Sequence, residues 1–185
     1  YFGDYIMAGT LSVQKIQGLA TSATPTTVEI SSGHKLTGAA GSIVIPGMVI
    51  QTVYANYATQ SSTTSTSFID SGLTATITPH FATSKINVWM SGNTFSNTTG
   101  NGNFRIVRDS TAIYNTDYVQ YGDSVGGVLS MNVQDSPNTT SATVYKVMYR
   151  SDNGVLVYFN VNDNNNSGVD TEAQMSTLII QEIAQ

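Results

Sequence analysis

The sequence has no cysteine, two histidines, four prolines and one tryptophan in 185 residues. Without thiols, disulfides, zinc-thiolate sites and cysteine nucleophiles are excluded. Charge is scarce too: Asp, Glu, Lys and Arg make up 10% of the chain, against about a quarter in ordinary soluble domains. The seven cations are scattered and the net charge is -5. No clustered basic face for phosphate neutralisation can be drawn, and nucleic acid is not expected as a partner. No apolar run approaches the roughly 18 to 20 residues of a bilayer-spanning helix, and no basic segment precedes an apolar one at the N-terminus, so membrane insertion is not expected. What the chain has is Ser, Thr, Asn and Gly, a hydrogen-bonding but nearly uncharged surface. With 40% hydrophobic residues, the chain can bury one good core but is short for two.

Residues 143–161, TVYKVMYRSDNGVLVYFNV, organise the reading. Thr143, Tyr145, Val147 and Tyr149 alternate with Val144, Lys146, Met148 and Arg150, and alternation resumes beyond Asn153-Gly154. Asn-Gly suits the positive φ of a tight turn, so the stretch predicts a β-hairpin. Val, Met or Tyr on both faces of its first arm predicts a strand covered on both sides, by a second sheet and by another copy of the chain.

Residues 7–46 carry isolated apolar beats between Gly, Thr, Ser and Pro, too few to close a core. Either a floppy leader or an extended stalk or anchor arm fits, with Pro46-Gly47 as its boundary; Met7-Ala8-Gly9-Thr10 looks like a natural start. From Met48 the pattern is uniformly β: strands are expected at 48–57, 66–70, 73–78, 85–91, 103–107, 112–114, 128–133, 142–150, 154–161 and 175–183. Ser71-Gly72, Asp109-Ser110, Gly126-Gly127, residues 135–138 and Asn153-Gly154 read as turns. Short strands at regular spacing mean a sandwich or barrel. Leu73, Ala75 and Ile77, and then Ile86, Val88 and Met90, should face the core, which leaves Trp89 on the other face, under a loop, at a subunit contact or as a ligand platform. Leu178, Ile179 and Ile180 in succession predict a last strand covered on both faces, and so oligomerisation.

Residues 32–38 (SGHKLTG), 41–51 (GSIVIPGMVIQ) and 70–79 (DSGLTATITP), with Ser84-Lys85-Ile86, resemble small fibre and surface proteins of tailed bacteriophages, particularly marine ones. The strand-turn-strand layout of residues 103–114 is similar to the middle of trimeric jelly-roll heads of the tumour-necrosis-factor and complement-type class. The resemblance implies an all-β, antiparallel jelly-roll sandwich head from about Gly47, preceded by an extended arm. It implies a homotrimer at the virion surface, attached to other virion proteins through its N-terminal segment. It carries over no catalytic residue.

Four groups of residues are weighed for chemistry. Tyr114, Asn115, Asp117, Tyr118 and Tyr121 mix flat apolar rings with planar hydrogen-bonding groups, which suits a host-surface glycan or protein; packing in a trimer seam is the plainer alternative. Asp163, Asn165 and Ser167, with Gly168 at the sixth position and Asp170 beyond, have the oxygen spacing of a calcium loop. Gln174 stands where that loop has a bidentate Glu, so a polar hairpin loop is the alternative. His34 and His80 have no Cys, Asp or Glu at metal-ligand or triad spacing, and the aspartates fall mostly at turns. Three matches to the glycosylation pattern are what chance gives in so Asn- and Thr-rich a chain. Calcium apart, no cofactor is expected, and no enzyme. The functions left are a fibre or spike head that attaches to the host and a capsid-decoration or fibre-shaft protein with a purely structural role.

Overall fold

The computed structural model describes residues 32–38, 42–96, 99, 101–116, 119, 125–161 and 174–185. Contacts divide the chain into residues 1–37 and 38–185. In the first unit the described residues, 32–37, are exposed and turn at Ser32-Gly33. The expected calcium loop (Asp163, Asn165, Ser167, Asp170) lies outside the described residues, as does most of the expected arm.

The second unit is all β among its described residues. Its strands are β1 (Val49–Tyr57), β2 (Ser61–Thr63), β3 (Ile69–Ile77), β4 (Lys85–Ser96), β5 (Gly102–Arg108), β6 (Thr111–Thr116), β7 (Val125–Asp135), β8 (Thr143–Ser151), β9 (Val157–Phe159) and β10 (Ser176–Ile183). All pairings are antiparallel, and early strands pair with late ones: β1 with β10, β3 with β8, β4 with β7 and β5 with β6. Rolling up that long hairpin gives one sheet with the run β1-β10-β4-β7 and another with the order β3-β8-β5-β6. This is the jelly-roll sandwich, which protects strand edges by wrapping rather than by closing a barrel. The short strands β9 and β2 extend the first sheet beyond the end of β10, where β9 pairs with Thr94–Ser96 of β4.

Strict alternation explains why these segments are strands. In β3 Leu73, Ala75 and Ile77 are buried and the threonines between them exposed; in β8 Tyr145, Val147 and Tyr149 are fully buried. The inward sets of the two sheets meet in one core, in which Phe104 stacks on Tyr149 (5.8 Å, 11° between planes) and Phe159 tilts against both. Each such ring contributes about 1.5–3 kcal/mol by leaving water.

Three expectations are corrected. Residues 143–161 are not a hairpin: β8 belongs to one sheet and β9 to the other. Gly154 does take positive φ (81°), but the chain there crosses the sandwich. Tyr149 and Phe159 are both buried, so the two arms pack face to face across the core instead of pairing edge to edge, while the backbone N–H groups of Ser151 and Asp152 bond to Ser65 O and Asn101 O. Among the described residues the second face of β8 is half-buried. Ser71-Gly72 is not a turn between strands but an irregularity inside β3, where Ser71 Oγ donates to Val147 O at 2.8 Å and accepts from Leu73 N at 3.2 Å. Gly126-Gly127 likewise lies within β7, paired with Phe95 and Thr94.

Candidate functional site

With both inner faces committed to the core, chemistry falls to the outer faces and the sandwich ends. On the outer face of the larger sheet the register sets Tyr54, Ile179, Trp89 and Asn132 side by side across β1, β10, β4 and β7. Tyr54 is 56% exposed, Trp89 39%, and Val128, farther along β7, 74%. The flanking rows are Thr52, Gln181, Asn87 and Gln134 on one side and Asn56, Thr177, Ser91 and Ser130 on the other, all uncharged. These polar groups bond among themselves: Gln134 Nε2 donates to Asn87 Oδ1 at 2.9 Å and Gln181 Nε2 to Thr52 Oγ1 at 3.2 Å. Trp89, Asn87, Asn132, Val133 and Gln134 line a shallow groove of about 190 Å³. The face therefore presents an apolar row framed by amides and hydroxyls, a surface that loses little on desolvation.

The outer face of the smaller sheet is different. Arg105 of β5 and Arg150 of β8 approach the Phe68 ring, with guanidinium carbons 4.0 and 5.1 Å from its centroid. Lys146, on the same face of β8, pairs with Asp70 at 3.0 Å. Asn115 of β6 is exposed and lies opposite Arg105 in the ladder. Tyr114, its neighbour, is half-buried opposite Ile106 and packs against the core, so the two are not parts of one exposed patch. Asp117, Tyr118 and Tyr121 lie outside the described residues.

Two carboxylates, fully buried Glu182 and half-buried Asp135, lie at one end of the sandwich, both opposite Ile86 in the ladder. Glu182 is fully buried on the inner face of β10. Its Oε1 accepts from His80 N (2.8 Å), Phe81 N (3.2 Å) and Ser84 Oγ (2.7 Å), and its Oε2 meets Gln51 Nε2 (2.6 Å) and His80 Nδ1 (3.1 Å). Burial alone pushes this carboxyl up, but the hydrogen bonds from Gln51, Ser84 and His80 outweigh it and hold it at about 2. The fold thus gives His80 a carboxylate that spacing did not show. Yet the carboxylate, not the imidazole, binds Ser84, so a nucleophilic triad with histidine between serine and acid is not formed. Asp135, at the end of β7, takes Arg108 Nη1 at 2.7 and 2.8 Å and the Tyr145 hydroxyl at 2.8 Å. Burial first, and then the bond to Asp135, push the Tyr145 phenol far above its ordinary value. Among the described residues no three His, Asp or Glu side chains converge as a metal site.

No protein family profile matches the chain, and no curated protein does. Among solved structures, the chain is similar to that of the infectious bursal disease virus Gx strain, at 14% identity and TM-score 0.30 over 74% of this chain and 37% of the other. The Gt strain structure is similar at 12% identity and TM-score 0.28, over 88% of this chain and 45% of the other. The chain spans less than half the length of either. The jelly-roll assignment rests on the strand pairing itself.

Proposed function

We propose that this chain is a structural protein of a tailed-phage virion, the homotrimeric head of a fibre or spike that meets the host surface. The observation that carries the reading is the row Tyr54–Ile179–Trp89 on the outer face of the larger sheet, with Tyr54 and Trp89 exposed, Ile179 half-buried between them, and uncharged rows on either side. Large apolar side chains in a contiguous row mark an interaction surface, and a self-contact suits a face with no charges to repel its own copy. Phage-like phrases in the sequence supply the virion context; the N-terminal segment would join the particle and the head would attach to a host glycan, weak contacts repeated over three subunits giving firm binding. No catalysis is proposed. A second reading, a decoration or shaft protein with a purely structural role, is favoured by Tyr114, which packs toward the core instead of reaching outward. Light scattering on the intact chain tests the head reading: a mass of three chains supports it, and a monomer at all concentrations ends it.

A further inference from the structure

We propose that the outer face of the smaller sheet binds the acidic group, carboxylate or sulfate, of a host-surface polysaccharide between Arg105 and Arg150; this rests on the attachment reading above. Asn103 pairs with Arg150 and Arg105 with Met148, so the two arginines are diagonal neighbours on adjacent strands. Such positions lie about 7–8 Å apart, close enough for both forks to reach one anion.

The other cations on these strands have close acidic partners, whereas Arg105 has none among the described residues and Arg150 has only a long one. Arg108 Nη1 donates to both oxygens of Asp135, and Lys146 is paired with Asp70. By contrast, Arg105 Nη2 meets only Met148 Sδ, at 3.4 Å, and among the described residues it has no acidic partner. Arg150 donates to Thr66 O at 3.3 Å and forms a long ion pair with Asp152 at 3.7 Å, beyond hydrogen-bond length, which a ligand's anion would have to compete with. Both Nε–H groups are buried without a hydrogen-bond partner, a costly state for a charged donor. Two adjacent guanidinium groups also repel. An anion across their outer edges would convert that repulsion into attraction.

Phe68 makes the pair a receptor instead of two mobile chains. Its ring attracts both cations and restrains them, so less entropy is lost when the forks engage a ligand. Exposed Asn115, opposite Arg105, adds an amide that can bind a sugar hydroxyl. A polysaccharide fits better than a nucleic acid because one isolated cationic pair on a chain of net charge -5 cannot follow a run of phosphates.

The test is calorimetric titration of the intact chain with an alginate hexasaccharide, a heparin hexasaccharide and neutral maltohexaose, at low and at near-physiological salt. Expected is binding of at least one acidic sugar and not of maltohexaose, weakened by salt and competed by inorganic sulfate. Arg105→Gln and Arg150→Gln should each weaken it about tenfold or more, Arg105→Lys less, and Lys35→Gln not at all. Equal binding of maltohexaose, no binding of any acidic sugar, or unchanged affinity in both Gln variants overturns the site. Should the variants fail to fold, sulfate competition on the unaltered chain decides, its absence counting against the proposal. A trimeric chain that binds only maltohexaose keeps the attachment reading and loses this site; a monomer loses the head reading.

Discussion

Glu182 Oε2 lies 3.1 Å from His80 Nδ1, which joins the last strand to the loop between β3 and β4 across 102 residues of sequence. With its carboxyl lowered from 4.5 to about 2, the folded state prefers the ionised form more than the unfolded chain does. That stabilisation is fully present above about pH 4.5 and is lost as pH falls through about 2. Its size is about 3 kcal/mol, taking each pH unit as about 1.4 kcal/mol. Glu182→Gln should therefore unfold at lower urea at pH 7, and the gap to the unaltered protein should shrink between pH 4.5 and 2. Urea titrations across that range check it; a gap independent of pH would show that the hydrogen-bond count, not the charge, sets the effect.

Asp135 accepts from Tyr145 of the smaller sheet while belonging to β7 of the larger, so it fastens the two layers at one end. Tyr145→Phe removes one donor and leaves the Arg108 pair, at a cost of about 1–2 kcal/mol. Asp135→Ala strands a half-buried guanidinium and a buried hydroxyl, and should cost more, about 2–3 kcal/mol. Thermal melts of both variants should preserve that order.

Alternation made the core legible before the structure: Leu73, Ala75, Ile77, Ile86, Val88 and Met90 all face inward as their spacing predicts. Pairing was not legible, because a jelly roll joins strands far apart in sequence, and Asn153-Gly154 serves a hairpin and a crossover equally well. The run Ser61–Thr63 had no apolar beat to mark it as β2. Of the surface sites, Trp89 was seen to face outward, but its row with Tyr54 and Ile179 exists only through register. In sequence Asn115 stands beside Tyr114, whereas its partner across the ladder is Arg105. Phe68 and Arg150 gave no signal, since nothing local brings an arginine onto a ring from another strand.

Gly72 sits at φ 90°, and a Cβ there would lie 2.3 Å from atoms of the Tyr57 side chain. Gly72→Ala therefore meets both backbone strain and a clash, at a cost of about 1–3 kcal/mol. If strain dominates, adding Tyr57→Ala will not recover stability; if the clash dominates, the double variant will be more stable than the sum of the two changes. A double-mutant cycle by chemical denaturation separates them.

Trp89 and Ile179 face each other across β4 and β10 on the outer side of the sheet, away from the core that Met90 and Leu178 fill from the inner side. A charge placed there should spare the fold and act only on whatever covers the face. Trp89→Lys and Ile179→Lys should each reduce the mass in solution to that of one chain, since a buried, unpaired ammonium repeated in every subunit costs several kcal/mol per ion. Far-ultraviolet circular dichroism should stay β, with the monomeric variant melting at a temperature that no longer depends on protein concentration. A trimer that survives both substitutions would place the subunit contact elsewhere, and the Tyr54–Ile179–Trp89 row would then have to be read as a ligand platform.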